Sequence, residues 1–129
     1  MVVDTSALLA ILLNEPDAAV FRSAIDKDPI RLVSAASVVE TGIVIEARFG
    51  EAGGREMDLL LHKAECEIVP VDAEQAEVAR GAFRRFGKGR HSAGLNFGDC
   101  FAYALAVATG EPLLFKGDDF GKTDVMVAL

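Results

Sequence analysis

Apolar positions change period several times along the chain, and each change marks a predicted element. Val2 to Asp4 reads as a buried strand cut short by its acid. Ser6 to Leu13 then runs apolar at helical length and stops near Asn14-Glu15-Pro16. Asp17 to Asp26 reads as a second helix, capped by Asp17, with Val20, Phe21, Ala24 and Ile25 facing inward. Arg31 to Ser34 is a second short strand. Ala36 to Phe49 is helical, with Val39, Ile43 and Ala47 along one face. Gly50 and Gly53-Gly54 interrupt it before a further helix, Glu56 to Lys63. Glu67 to Val71 is a third strand. Asp72 to Phe86 is amphipathic, opened by an Asp72/Gln75 capping box, with Ala76, Ala79, Phe83 and Phe86 inward. Gly87 to Gly94 reads as a loop. Asn96 caps a helix from Phe97 to Thr109 that ends at Gly110. Pro112 to Phe115 is a fourth strand, Gly117 to Gly121 a loop, and Val125 to Val127 a possible edge strand.

Strands alternating with helices imply right-handed βαβ crossovers and a parallel sheet covered on both faces. The expected fold is α/β: three α/β/α layers around a mostly parallel sheet of four to five short strands. At 129 residues the chain is expected to be one domain, 1–129. With 51% hydrophobic residues it has ample material for a core. No apolar run reaches the ~18 residues of a membrane span. Asp4 stands where a signal peptide has basic residues. Two cysteines, Cys66 and Cys100, imply no disulfide framework. The expectation is a cytoplasmic protein.

The net charge of −7 disfavours an ordinary nucleic-acid binder, which presents a basic face. A bound cation or a basic partner would offset it. Four acids stand at comparable junctions: Asp4, Glu40, Asp99 and Asp118. Each also has a purely structural role open to it. Glu40 follows Ser37, and Asp99 follows Asn96, at capping-box spacing. Asp118 lies in a Gly-Asp-Asp turn. Asp4 fits such a role least, because it would end a buried strand as an unpaired charge. Open parallel sheets bind ligands beyond the carboxyl ends of their strands, so the four acids are candidates for one oxygen-only site. Only a cation or protons could hold four carboxylates together there. Oxygen ligands suit Mg²⁺ or Mn²⁺, and His62 and His91 offer no zinc spacing.

These residues also carry a resemblance. The stretches Met1-Val-Val-Asp-Thr-Ser-Ala-Leu-Leu-Ala-Ile-Leu, Ser37-Val-Val-Glu-Thr, Leu95-Asn-Phe-Gly-Asp-Cys-Phe-Ala-Tyr-Ala-Leu-Ala and Leu113-Leu-Phe-Lys-Gly-Asp-Asp-Phe span the chain. Together they resemble the PIN-domain ribonucleases, and within them the VapC toxins of type II toxin–antitoxin systems. The resemblance implies a Mg²⁺- or Mn²⁺-dependent endoribonuclease with Asp4, Glu40, Asp99 and Asp118 at the metal, Asp119 being a substitute for Asp118. It places the Ser6 hydroxyl near the metal, an N-cap role being the alternative. It also implies a VapB-like antitoxin partner, a homodimer, and a transfer RNA or ribosomal RNA loop as substrate.

Local basic groups would have to meet that RNA. Arg85 and Arg90, with Arg84, Lys88 and His91, cluster at a helix end and its loop, and Lys116 stands beside Asp118. A solvated surface would explain the same cluster. A receiver-like phospho-signalling domain is a competing reading. It would use Asp72 and Lys116 and leave Glu40 and Asp99 without a role. An inactive PIN-like RNA-binding module is a third.

Overall fold

The computed structural model describes all residues, 1–129. The elements are β1 (Val2–Val3), α1 (Thr5–Leu12), α2 (Ala18–Lys27), β2 (Leu32–Ser34), α3 (Ala35–Lys63), β3 (Glu67–Val69), α4 (Ala73–Phe86), α5 (Phe97–Thr109) and β4 (Leu113–Leu114), followed by a 3₁₀ turn at Phe120–Lys122. The sheet has four strands in the order β3-β2-β1-β4, all parallel. Val125–Val127 forms no strand; only a single bridge joins Val127 to Leu113.

Two apolar layers lie on the two faces of the sheet. Val2 and Leu113 belong to one, with α4 and α5. Val3, Val33 and Leu114 belong to the other, with α1, α2 and the second half of α3. Successive strand residues point to opposite faces, so the Val2-Val3 pair supplies one side chain to each core.

Three inward faces differ from the sequence reading. Val20 of α2 is exposed, while Phe21 and Ile25 are buried. In α3, Val39 and Ile43 are 62% and 66% exposed, and Ser37, Thr41 and Ile45 are buried instead. The helix offers two faces at the same period, and the small-residue face wins because it approaches α1 closely. There the Thr5 hydroxyl donates to the Ser37 carbonyl at 3.4 Å, and Thr41 Oγ1 donates to the same oxygen at 2.7 Å. Phe83 of α4 is partly exposed, and Ala82 takes the core position with Ala79 and Phe86.

Gly50, at φ 64° and ψ −157°, breaks the helical path inside Ala35–Lys63, so two helical segments meet there at a kink, as the glycine interruption predicts, although the second begins directly after the kink rather than at Glu56. Beyond the kink the second segment packs back against the first. A Cβ at Gly53 would lie 2.9 Å from the Ile45 carbonyl oxygen. The capping differs too. Asp17 makes no side-chain cap. Gln75 reaches Pro70 O rather than the Asp72 amide, so only half of the Asp72/Gln75 box forms.

Candidate metal-binding active site

Strand order turns around β1: β2 lies on one side and β4 on the other. That reversal opens a crevice beyond the carboxyl ends of the two strands. Asp4 is the residue that leaves β1 into it. Its amide donates to Leu114 O at 2.9 Å, which extends the β1–β4 pairing by one step. Its side chain caps α1: Oδ2 accepts from the Ser6 amide at 2.9 Å and from the Ser6 hydroxyl at 2.6 Å. The cap is therefore Asp4, and Ser6 is its partner. Ser6 Oγ also accepts from the Lys116 amide at 2.9 Å, tying α1 to the segment after β4. Asp4 Oδ1 accepts no hydrogen bond.

Asp4 is 3% exposed, and burial pushes its carboxyl up to about 6. The two Ser6 bonds act the other way, while the charges of Asp99 and Glu40 push it further up. Asp99 reaches this point from the first turn of α5. It forms a complete capping box: its Oδ2 accepts from the Asn96 amide and Asn96 Oδ1 accepts from the Asp99 amide, both at 2.9 Å. The box uses one carboxylate oxygen and leaves Oδ1 free. Burial raises the Asp99 carboxyl, the Asn96 bond lowers it, and Glu40 and Asp119 raise it again.

Glu40 comes from α3. That helix is capped by Ser34, whose hydroxyl accepts from the Ala36 amide at 3.2 Å, so Glu40 lies beyond the first turn and has no part in a capping box. Its carboxylate lies against Gly98 of α5. A Cβ at Gly98 would come within 2.6 Å of Glu40 Cδ. The missing side chain is what lets Glu40 share the crevice with Asp99.

Carboxylates from β1, α3 and α5 thus face one another. They are within electrostatic reach but do not form a closed shell: no three of the Asp, Glu, His and Cys side chains are close enough together to ring an ion. Like charges in a poorly solvated crevice hold one another off, and a divalent cation removes that repulsion. The donor set is all oxygen, which fits a hard cation.

Residues 1–126 match the PIN domain. The chain is 63% identical to a "Ribonuclease VapC" of Mycolicibacterium smegmatis over 97% of each chain. It is 62% identical to "Ribonuclease VapC30" of Mycobacterium tuberculosis, over 97% of this chain and 95% of that one.

The chain belongs to the PIN-domain family, among its VapC ribonucleases.

Solved structures of two distant VapC proteins share the PIN fold. The sarcin–ricin-loop-cleaving toxin VapC20 of M. tuberculosis superposes with a TM-score of 0.79 at 17% identity, over 97% of this chain and 95% of that one. VapBC2 of Rickettsia felis, solved with a promoter DNA fragment, gives 0.77 at 13%, over 98% and 94%.

In this PIN domain the crevice gathers three of the four acids singled out from the sequence. Asp118 makes no side-chain hydrogen bond to them. Its neighbour Asp119, at the start of the 3₁₀ turn, acts on Asp99 instead. Gly117, at φ 99°, turns the chain just before the pair. The signal sequence reasoning missed is Gly98, legible only as the glycine inside Asn-Phe-Gly-Asp.

The cationic groups are engaged elsewhere. The Lys116 ammonium pairs with Glu15 and with Asp17, the latter at 3.3 Å. Arg85 pairs with Asp124 at 3.1 Å and lies over the Phe86 ring. Arg90 stands 6.0 Å from the centre of the Phe83 ring. Asp72 is an exposed cap of α4, beyond the edge strand β3, and family membership removes the receiver-like reading.

Proposed function

We propose that residues 1–129 work as one catalytic unit that hydrolyses RNA phosphodiester bonds with Mg²⁺ or Mn²⁺. Asp4, Asp99 and Glu40 would hold the ion, with Asp119 in preference to Asp118 as the fourth acid. The observation that carries this reading is the convergence on Asp4: a buried carboxyl raised by burial and then by two more carboxylates from separate helices. Such an arrangement costs stability unless a cation or a proton offsets it.

A bound divalent ion supplies Lewis acidity toward the phosphate and a lowered pKa for water. The chain's own residues prepare for that. Ser6 holds Asp4 Oδ2 by two bonds, which leaves Oδ1 as the ligating atom. Asn96 holds Asp99 Oδ2 in the same manner and leaves its Oδ1. Two carboxylates fixed through one oxygen each present the other without rotational freedom, as supporting hydrogen bonds do around metal ligands. Glu40, with no hydrogen bond of its own, is suited to hold a water or to complete the shell.

Membership among the VapC ribonucleases supports a toxin role, restrained by a VapB-like antitoxin in the cytoplasm. The exposed Val39 and Ile43 form an apolar stripe beside Glu40, suited to a helix of that partner. An Arg or Lys from its tail would satisfy the acidic crevice. A homodimer and a transfer or ribosomal RNA loop as target complete the proposal. No helix is long and apolar enough to cross a membrane.

The test is cleavage of total cellular RNA by the purified chain with Mg²⁺, with Mn²⁺ and with chelator. Discrete cuts are expected only with the ions. Equal cutting in chelator would overturn the metal assignment, and no cutting with either ion would overturn the nuclease.

A further inference from the structure

Tyr103 and Asp99 stand one turn apart on α5 and leave the helix on the same side. Asp99 faces the crevice. Tyr103 is buried, and its hydroxyl donates to Asp124 Oδ1 at 2.6 Å. The other oxygen of Asp124 accepts from Arg85 of α4 at 3.1 Å. That ion pair is exposed and weak, so the phenol is the firmer partner. Asp124 belongs to the segment after β4 that also carries Asp119.

The turn between the two acids has little slack. The Asp119 carbonyl accepts from the Lys122 amide at 3.2 Å. The Phe120 carbonyl accepts from the Thr123 amide at 3.0 Å and from the Thr123 hydroxyl at 2.7 Å. The Thr123 hydroxyl oxygen in turn accepts from the Val125 amide at 3.2 Å. Phe120 is buried in the same core layer as Tyr103. A displacement of Asp124 is therefore passed to Asp119 through a hydrogen-bonded turn.

Charge supplies the second argument. Asp119 lies close enough to Asp99 to act on its carboxyl, and like charges push the segment away from α5. The bond between Tyr103 and Asp124 joins the same segment to the same side of the same helix and opposes that push. Asp124 itself stands outside the acids that act on Asp4 and Asp99, so its part is not ligation.

We propose that Asp124 is a positioning residue: through its bond to Tyr103 it holds the turn after β4 against α5, so that Asp119 meets the ion beside Asp99. This rests on the reading of Asp119 as the fourth acid and adds the group that places it.

The test is Mn²⁺ binding to the full chain, read by electron paramagnetic resonance of the free ion. Asp124→Ala should weaken Mn²⁺ binding about tenfold, as loss of a group that orients a metal ligand does. Tyr103→Phe should weaken it equally, with no further loss in the double variant. Asp124→Asn keeps an acceptor for the phenol and should bind Mn²⁺ nearly as the native chain does. The deciding background is Asp119→Asn, on which Asp124→Ala should add nothing. In cleavage assays Asp124→Ala should raise the Mg²⁺ concentration for half-maximal rate about tenfold, with most of the rate recovered at saturation. Weakening by Asp124→Ala that persists in full beside Asp119→Asn would overturn the proposal, since a merely loosened fold gives that result. An unchanged Kd in both Asp124→Ala and Tyr103→Phe would overturn it too, and weaker binding by Asp119→Asn alone would then keep Asp119 as the fourth acid. Native binding in Asp119→Asn would remove that acid and the proposal with it.

Discussion

Gly98 and Glu40 occupy one volume between them: the carboxylate of Glu40 fills the space where any other residue at 98 would put its Cβ. The first turn of α5 and the second of α3 can approach only because of this vacancy in the side-chain series. Gly98→Ala should displace Glu40 by at least an ångström and reduce cleavage about 100-fold, the usual scale for such a misplacement. Alanine is the better helix former by about 1 kcal/mol, so Tm should fall little or rise. Cleavage rate and thermal unfolding measured on the same protein check this. Full activity in the variant would show that Glu40 has no positional demand.

Asp4→Asn keeps the cap, since Asn serves at that position as well as Asp. It removes the charge that Glu40 and Asp99 oppose. Cleavage should fall at least ~100-fold with Mg²⁺ supplied. In chelator at pH 7 the variant should be the more stable protein.

The pH dependence of wild-type stability follows from the same group. Native Asp4 keeps its proton up to about pH 6, while the unfolded chain releases it near 3.8. Between those values the native state binds more protons, so stability falls as pH rises. About 3 kcal/mol is lost by the end of that window, at 1.36 kcal/mol for each unit. Denaturant midpoints in chelator from pH 4 to 7 should show this decline, and Asp4→Asn should flatten it. Added Mg²⁺ or Mn²⁺ should recover stability above pH 6 and have little effect near pH 4.

Ser6→Ala removes the hydroxyl that donates to Asp4 and accepts from the Lys116 amide. The Asp4 carboxyl then loses a bond that favours its charged form and moves further up. The rising limb of the cleavage–pH profile should shift to higher pH, with about 1–2 kcal/mol lost in stability. An unmoved profile would mean that Asp4 ionisation does not limit the reaction.

Asp118 and Asp119 are separable by substitution. Asp119→Asn should reduce cleavage and lower the Asp99 carboxyl, which it now repels. Asp118→Asn should leave both near their wild-type values. Cleavage rates and carboxyl titration by NMR decide between the adjacent acids, and the reverse order would restore Asp118.

Most of the fold was legible because period and punctuation agree. Four of the five helices are opened by a side-chain cap, at Asp4, Ser34, Asp72 and Asn96, and Gly110 closes the last. Asp4 and Asp99 stood out because each sits at an element boundary, whereas Glu40 lies in the second turn of α3 and makes no cap. What failed was facing. Val39 and Ile43 look inward by hydrophobicity, but the contact with α1 is set by the close approach of Ser37 and Thr41, which rewards small side chains. Gly50 does separate two helical segments, but the second resumes at once, without the gap expected before Glu56. Which of the adjacent acids Asp118 and Asp119 faces the crevice cannot be read from residue type, because both follow Gly117 in the same turn.

The two-residue strand β1 commits one valine to each core and nothing to spare. Neither side of the sheet can soften while the other keeps its grip, because both share this same short peptide. Asp4 is the next residue, so its position inherits that stiffness from two directions. Catalytic failure on heating should therefore coincide with global melting rather than precede it, and tolerance to substitution should be narrowest at two residues that touch no substrate at all.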